Sequence, residues 1–121
     1  GIGRALQNQK QFDQAVAQYG IVINETASEI AAKAQYQLAM CRVEQRRLPE
    51  ATTALLAVPF TYDYPEWSAT ALLEAARVFG DMNQPAQTRR LLERVLKDYP
   101  GSEWAKAAQV HLTQMQTGAG K

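Results

Sequence analysis

Shifted against itself by 37 residues, this chain comes into register in three places. Ser28-Glu29-Ile30-Ala31 lies over Pro65-Glu66-Trp67-Ser68 and then over Ser102-Glu103-Trp104-Ala105. Ala34, Ala71 and Ala108 coincide further on, as do Leu38, Ala75 and Leu112. The recurring residues are small or apolar and fall at helical intervals, while the charges between them drift. A period in the range of roughly 20–50 residues is the signature of stacked supersecondary units, none of which buries its apolar face alone.

Helical periodicity places the elements. Arg4 to Gln9 fits the tail of one helix, and Phe12 to Asn24 the next, with Phe12, Ala15, Val16, Tyr19, Val22 and Ile23 on one face. Ser28 stands where it can cap a long helix reaching about Gln45, whose buried stripe reads Ile30, Ala34, Leu38 and Cys41. Glu29 in its first turn suits the positive end of the helix dipole.

Pro49 fits the first turn of a shorter helix through Ala51, Leu55 and Val58, which Pro59 is expected to stop for want of an N–H. An aromatic-rich loop then runs from Phe60 to Pro65. A second long helix spans about Glu66 to Met82. Asn83 is placed to cap the helix that starts near Pro85 and carries Leu91, Leu92, Val95 and Leu96. After Tyr99-Pro100-Gly101, Ser102 caps a last helix to about Gln116. Seven helices alternate between long A and shorter B members, and no stretch alternates apolar with polar residues as a strand would. The fold class read from this is all-α.

The repeat units run about 1–27, 28–64 and 65–101, with a closing helix at 102–117 and a frayed tail at 118–121. Gly1-Ile2-Gly3 reads as the middle of a helix, so the chain is expected to be a piece of a longer one.

Composition narrows the function. With 121 residues the chain suits one domain with a real core. Its 13 basic and 12 acidic residues nearly cancel, which argues against a strongly basic nucleic-acid binder. No apolar run approaches the roughly 18 residues that a membrane span needs. Cys41 and His111 are each the only residue of their kind, so no metal-ligand spacing and no paired nucleophile is present. No catalytic residue, metal or cofactor is expected.

With these residues in place, the chain resembles the tetratricopeptide repeat family. The likeness rests on Ile2-Gly3, Leu6, Phe12, Ala15, Tyr19 and Val22 in the first pair. The second pair contributes Leu38-Ala39, Leu48, Ala51, Leu55 and Val58, and the third Ala75-Ala76, Phe79, Pro85, Thr88, Leu92, Val95 and Pro100. Arg42 stands where the family has an aromatic, and Thr88 where it has alanine. The junction Tyr99-Pro100-Gly101-Ser102 is similar to repeats of bacterial envelope proteins, among them the outer-membrane assembly lipoprotein and the Tol-Pal-associated coordinator. That likeness implies a bacterial protein of the periplasm or cell envelope.

The resemblance implies an α-solenoid of about three hairpins and a capping helix, a right-handed superhelix with A helices lining its concave side. It implies a non-catalytic protein–protein interaction module that holds a peptide or protein segment there. The groove positions fall on Lys33, Tyr36, Met40 and Glu44, on Thr70, Leu73, Arg77 and Asp81, on Ala107, Val110 and Gln114, and on Arg4, Gln7 and Asn8. Tyr36, Leu73 and Val110 form an apolar stripe, and Arg77, Lys33 and Arg4 flank it with cations suited to a carboxylate.

Other surfaces compete. Phe60, Tyr62, Tyr64 and Trp67 either form an interface hot spot or plug the gap left by an early helix end at Pro59. Arg89, Arg90, Arg94 and Lys97 make a basic cluster at 89–97, which is either a solvated face or a site for an anionic ligand. An open first repeat that leaves Leu6 and Tyr19 partly uncovered would favour a structural or self-associating segment instead.

Overall fold

A computed structural model describes residues 12–25 and 28–118 as six helices. They are α1 (Phe12–Glu25), α2 (Glu29–Glu44), α3 (Leu48–Thr61), α4 (Pro65–Asp81), α5 (Pro85–Asp98) and α6 (Glu103–Gly118). The helix expected over Arg4 to Gln9 lies outside the described residues. Each helix packs on the next in the chain, and α2 also touches α4, as α4 touches α6. This is an α-solenoid in which α2, α4 and α6 form the A row and α1, α3 and α5 the B row.

Small residues set the spacing. Ala15, Ala51 and Thr88 on the B helices and Ala39 and Ala76 on the A helices are all buried, so neighbouring axes approach closely. Leu55, Leu72 and Leu92 fill the space beside them with no exposure, each contributing roughly 1.5–3 kcal/mol. One core joins α2 to α6, and a smaller cluster of Ala15, Tyr19, Ala34 and Cys41 joins α1 to α2.

One buried polar contact and one nearer the surface also join the helices. The Thr88 hydroxyl donates to the Ala76 carbonyl at 2.7 Å, crossing from α5 to α4 without an unpaired polar group. Arg42 donates to Gln45 Oε1 at 2.9 Å, and Gln45 Nε2 to Asp13 Oδ1 at 3.1 Å, which ties the end of α2 to α1.

Several boundaries differ from the sequence expectation. Pro59 lies inside α3, which continues to Thr61. The proline removes only its own N–H, and the ladder resumes with Tyr62 N–H on the Val58 carbonyl at 3.0 Å. The loop therefore shrinks to 62–64, and Pro65 becomes the first residue of α4. No gap is left to plug, and Phe60 is 92% exposed. Ile30 is 64% exposed and outside the buried stripe. Packed from both sides, α2 buries Ala31, Ala32, Ala34, Ala39, Cys41 and Val43 instead.

Caps differ as well. Gln84, not Asn83, is the N-cap of α5, while Asn83 adopts a left-handed φ of 61° in the turn. Ser28 occupies the N-cap of α2 without a side-chain capping bond. Ser102 does cap α6, its Oγ accepting from Ala105 N–H at 3.0 Å. The last helix runs to Gly118, past the Gln116 expected.

At three positions the 37-residue register makes equivalent, α6 differs in chemistry from α4. Ala69, Leu72 and Ala76 of α4 are all fully buried. At the same positions α6 carries Lys106, Gln109 and Thr113, all exposed.

Candidate functional site

Helical geometry gathers the candidate residues on one face of the A row. Positions at i, i+4, i+7, i+11 and i+15 share a side, so Glu29, Lys33, Tyr36, Met40 and Glu44 line one stripe of α2. Glu66, Thr70, Leu73, Arg77 and Asp81 repeat it on α4, and Glu103, Ala107, Val110 and Gln114 on α6. The side-by-side contact of α2 with α4 and of α4 with α6 brings the three stripes together.

Within this face the centre is apolar. Tyr36, Met40 and Leu73 are half-buried against the main core. Val110 is 57% exposed and lines a shallow depression with Lys106, Gln109, Thr113 and Gln114. Tyr36 also meets Trp67 of α4, ring centroids 5.8 Å apart and planes tilted by 46°. The indole Nε1 donates to Glu29 Oε2 at 3.2 Å. An aromatic pair and a charged hydrogen bond thus join two successive A helices at the edge of the face.

The electrostatics depart from the expected pattern of free cations. Arg77 Nη2 lies 2.6 Å from Glu74 Oε2, and its Nη1 lies 3.3 Å from Asp81 Oδ2. The hydrogen bond to Glu74 raises the guanidinium pKa, more than partial burial lowers it. Arg77 is therefore neutralised within its own helix instead of presenting an open charge. Lys33 is exposed and has Thr70 and Ala107 at the equivalent positions of α4 and α6, so it starts no cationic row. Arg4, Gln7 and Asn8 lie outside the described residues. Burial, with the Glu74 carboxylate adding to it, pushes the Tyr36 phenol above its ordinary range, and Arg77 works in the other direction.

The remaining candidates disperse. Of the aromatic segment, only Trp67 joins the A-row face. Arg89, Arg90, Arg94 and Lys97 are exposed along α5, with Arg94 Nε 3.3 Å from Asp98 Oδ2. Tyr19 is covered within the chain, buried with Ala15, Ala34 and Cys41, so it exposes no ring for self-association. Cys41 is buried in that cluster, and burial pushes its thiol up to about 11. Among the described residues, no three His, Cys, Asp or Glu side chains converge as a metal site would need, and no helix is long and apolar enough to cross a membrane.

Two features escaped the sequence reading. Glu29, Glu66 and Glu103 coincide in the 37-residue register, where Glu29 alone is read as a helix-dipole partner. Their place at the head of each A-row stripe follows from the same i+4, i+7 arithmetic that located Tyr36. Glu74 was missed because its part depends on a side-chain rotamer.

Residues 70–102 match the family described as tetratricopeptide repeat. The matched stretch runs from the first turns of α4 to Ser102, one A helix with the B helix that follows. This supports the tetratricopeptide repeat family for the chain. No curated protein matches it.

Proposed function

We propose that this chain is a non-catalytic protein-interaction module that holds a peptide or protein segment against the exposed face of its A row. Proteins built of tetratricopeptide repeats are typically interaction modules without catalytic activity, and the family match supports a protein partner. The observation that carries the reading is the row of Tyr36, Leu73 and Val110. It repeats at the same position of three successive A helices and leaves Val110 57% exposed on α6. A bacterial envelope setting rests on the Tyr99-Pro100 junction alone.

The experiment compares partner capture by the wild-type chain and by Tyr36→Ala/Leu73→Ala. Both side chains are half-buried, so circular-dichroism melting must first show the variant folded. The reading expects bound proteins to be lost from the folded variant. Proteins retained equally by both place binding elsewhere.

A further inference from the structure

The charges around the apolar row are distributed unevenly. Glu29, Glu66 and Glu103 stand at the N-terminal end of the three stripes, and all are exposed. Glu44 and Asp81 stand at the other end of the first two, also exposed, although Asp81 is already paired with Arg77 and Glu44 alone is uncommitted there. At about 1.5 Å rise per residue, the first row lies roughly 10 Å from Tyr36, Leu73 and Val110, and the second roughly 12 Å on the opposite side.

Among the described residues, cations do not balance these rows. Arg77 is held by Glu74 and Asp81. Two cations near the C-terminal end of α2 are also committed elsewhere: Arg42 lies 3.5 Å from Asp13, and Arg47 2.6 Å from Glu50. Arg46 sits in the turn beyond Glu44. Lys33 and, at the open edge beside Val110, Lys106 are the exposed lysines of this face. The face is thus acidic on a chain whose formal net charge is +1. The positive excess lies elsewhere, as on α5.

We infer that the A-row face takes a basic partner segment, with apolar side chains on the Tyr36–Leu73–Val110 row and lysines or arginines reaching the carboxylates on either side. The inference rests on the A-row reading above and gives it a partner chemistry, contrary to the carboxylate ligand expected from the sequence. Complementary charge selects the partner and speeds encounter, while the apolar row holds it. A segment rich in Asp or Glu meets like charge on both sides of the row, and the one arginine at its centre is already neutralised.

The test selects a displayed library of short random peptides on the immobilised chain at low salt, then titrates the enriched sequences in solution. Enriched peptides are expected to carry Lys or Arg on both sides of Leu, Phe or Trp. Their affinity is expected to fall about tenfold in Glu44→Gln/Glu66→Gln/Glu103→Gln, which leaves the Arg77 pairs intact, and to weaken with added NaCl.

Acidic peptides that bind and lose affinity in Tyr36→Ala/Leu73→Ala overturn the charge inference but leave the A-row reading standing. Peptides indifferent to that double substitution overturn the A-row reading itself. A library that yields nothing on the wild-type chain overturns both.

Discussion

Arg46 and Asn83 stand 37 residues apart and share one backbone conformation, with φ of 60° and 61°. Each follows an A helix and lets the chain turn back into a B helix. The closures match: Arg47 N–H reaches the Arg42 carbonyl at 3.0 Å, and Gln84 N–H the Phe79 carbonyl at 2.9 Å. These are the long bonds of a Schellman turn, which satisfy carbonyls that the helix end leaves free. The repeat is therefore written in the backbone of its turns as well as in its apolar residues.

An arginine in the left-handed region is strained by its Cβ, which costs roughly 1–2 kcal/mol. Glycine removes that strain but loses about 0.5–1 kcal/mol of chain entropy. Arg46→Gly is expected to stabilise the fold by about 0.5–1 kcal/mol, read as a higher urea midpoint with an unchanged slope. Asn83→Gly should gain less, since asparagine tolerates this region. A lower midpoint for Arg46→Gly would mean that the arginine side chain contributes more than its backbone costs.

Thr88 is buried at the α4–α5 contact, and its hydroxyl reaches the Ala76 carbonyl at 2.7 Å. Thr88→Val keeps the shape and deletes the donor. The expected loss is about 1–2 kcal/mol, measured by denaturant unfolding. Unchanged stability would show that the hydroxyl is only tolerated at this contact.

Arg77 lies between two carboxylates on its own helix. Arg77→Glu sets a third carboxylate beside Glu74 and Asp81, turning two attractions into two repulsions at i,i+3 and i,i+4 spacing. A fall of about 1 kcal/mol at low ionic strength is expected, shrinking as salt is added. A salt-independent loss would point to lost packing of the arginine stem instead.

Cys41 offers a pH readout of the α1–α2 contact. Burial, against a weaker opposing pull from Arg42, raises its thiol from 9.0 to about 11. The folded pKa lies above the unfolded one, so the associated stability is complete below about pH 9 and is lost as pH rises through about 11. Urea midpoints should show this decline in the wild type and less of it in Cys41→Ala. The native thiol should also resist iodoacetamide until denaturant exposes it. Rapid labelling of the folded chain would show that α1 leaves its seat on α2.

The helices were legible because their signals are local. Alanines and leucines at helical spacing place α1 to α6, and Ser102 marks its cap by the hydroxyl that Ala105 N–H needs. The errors fall where local rules compete with packing. Pro59 forfeits one hydrogen bond, and with Val58 buried beneath it the helix gains more by continuing to Thr61. Asn83 suits both an N-cap and a left-handed turn, and the Schellman closure chose the turn. Ile30 has the right spacing for the buried stripe, but the seats on either side of α2 belong to its alanines.

The candidate site divides along the same line. Periodicity alone brings Tyr36, Leu73 and Val110 to one face, because a shift of 37 residues returns each to the same place on a parallel helix. The charge of that face was beyond a one-dimensional reading. A formal charge is a property of a residue type, whereas a free charge depends on which side chains lie within a few ångströms. Helical spacing already allows Arg77 to pair with Glu74 and Asp81 on its own helix, but only the tertiary structure sets Trp67 against Tyr36 and Glu29 and brings the carboxylates of successive A helices onto one face. Order along the chain determined the helices and their stacking, and proximity in space decided what the face they form is able to attract.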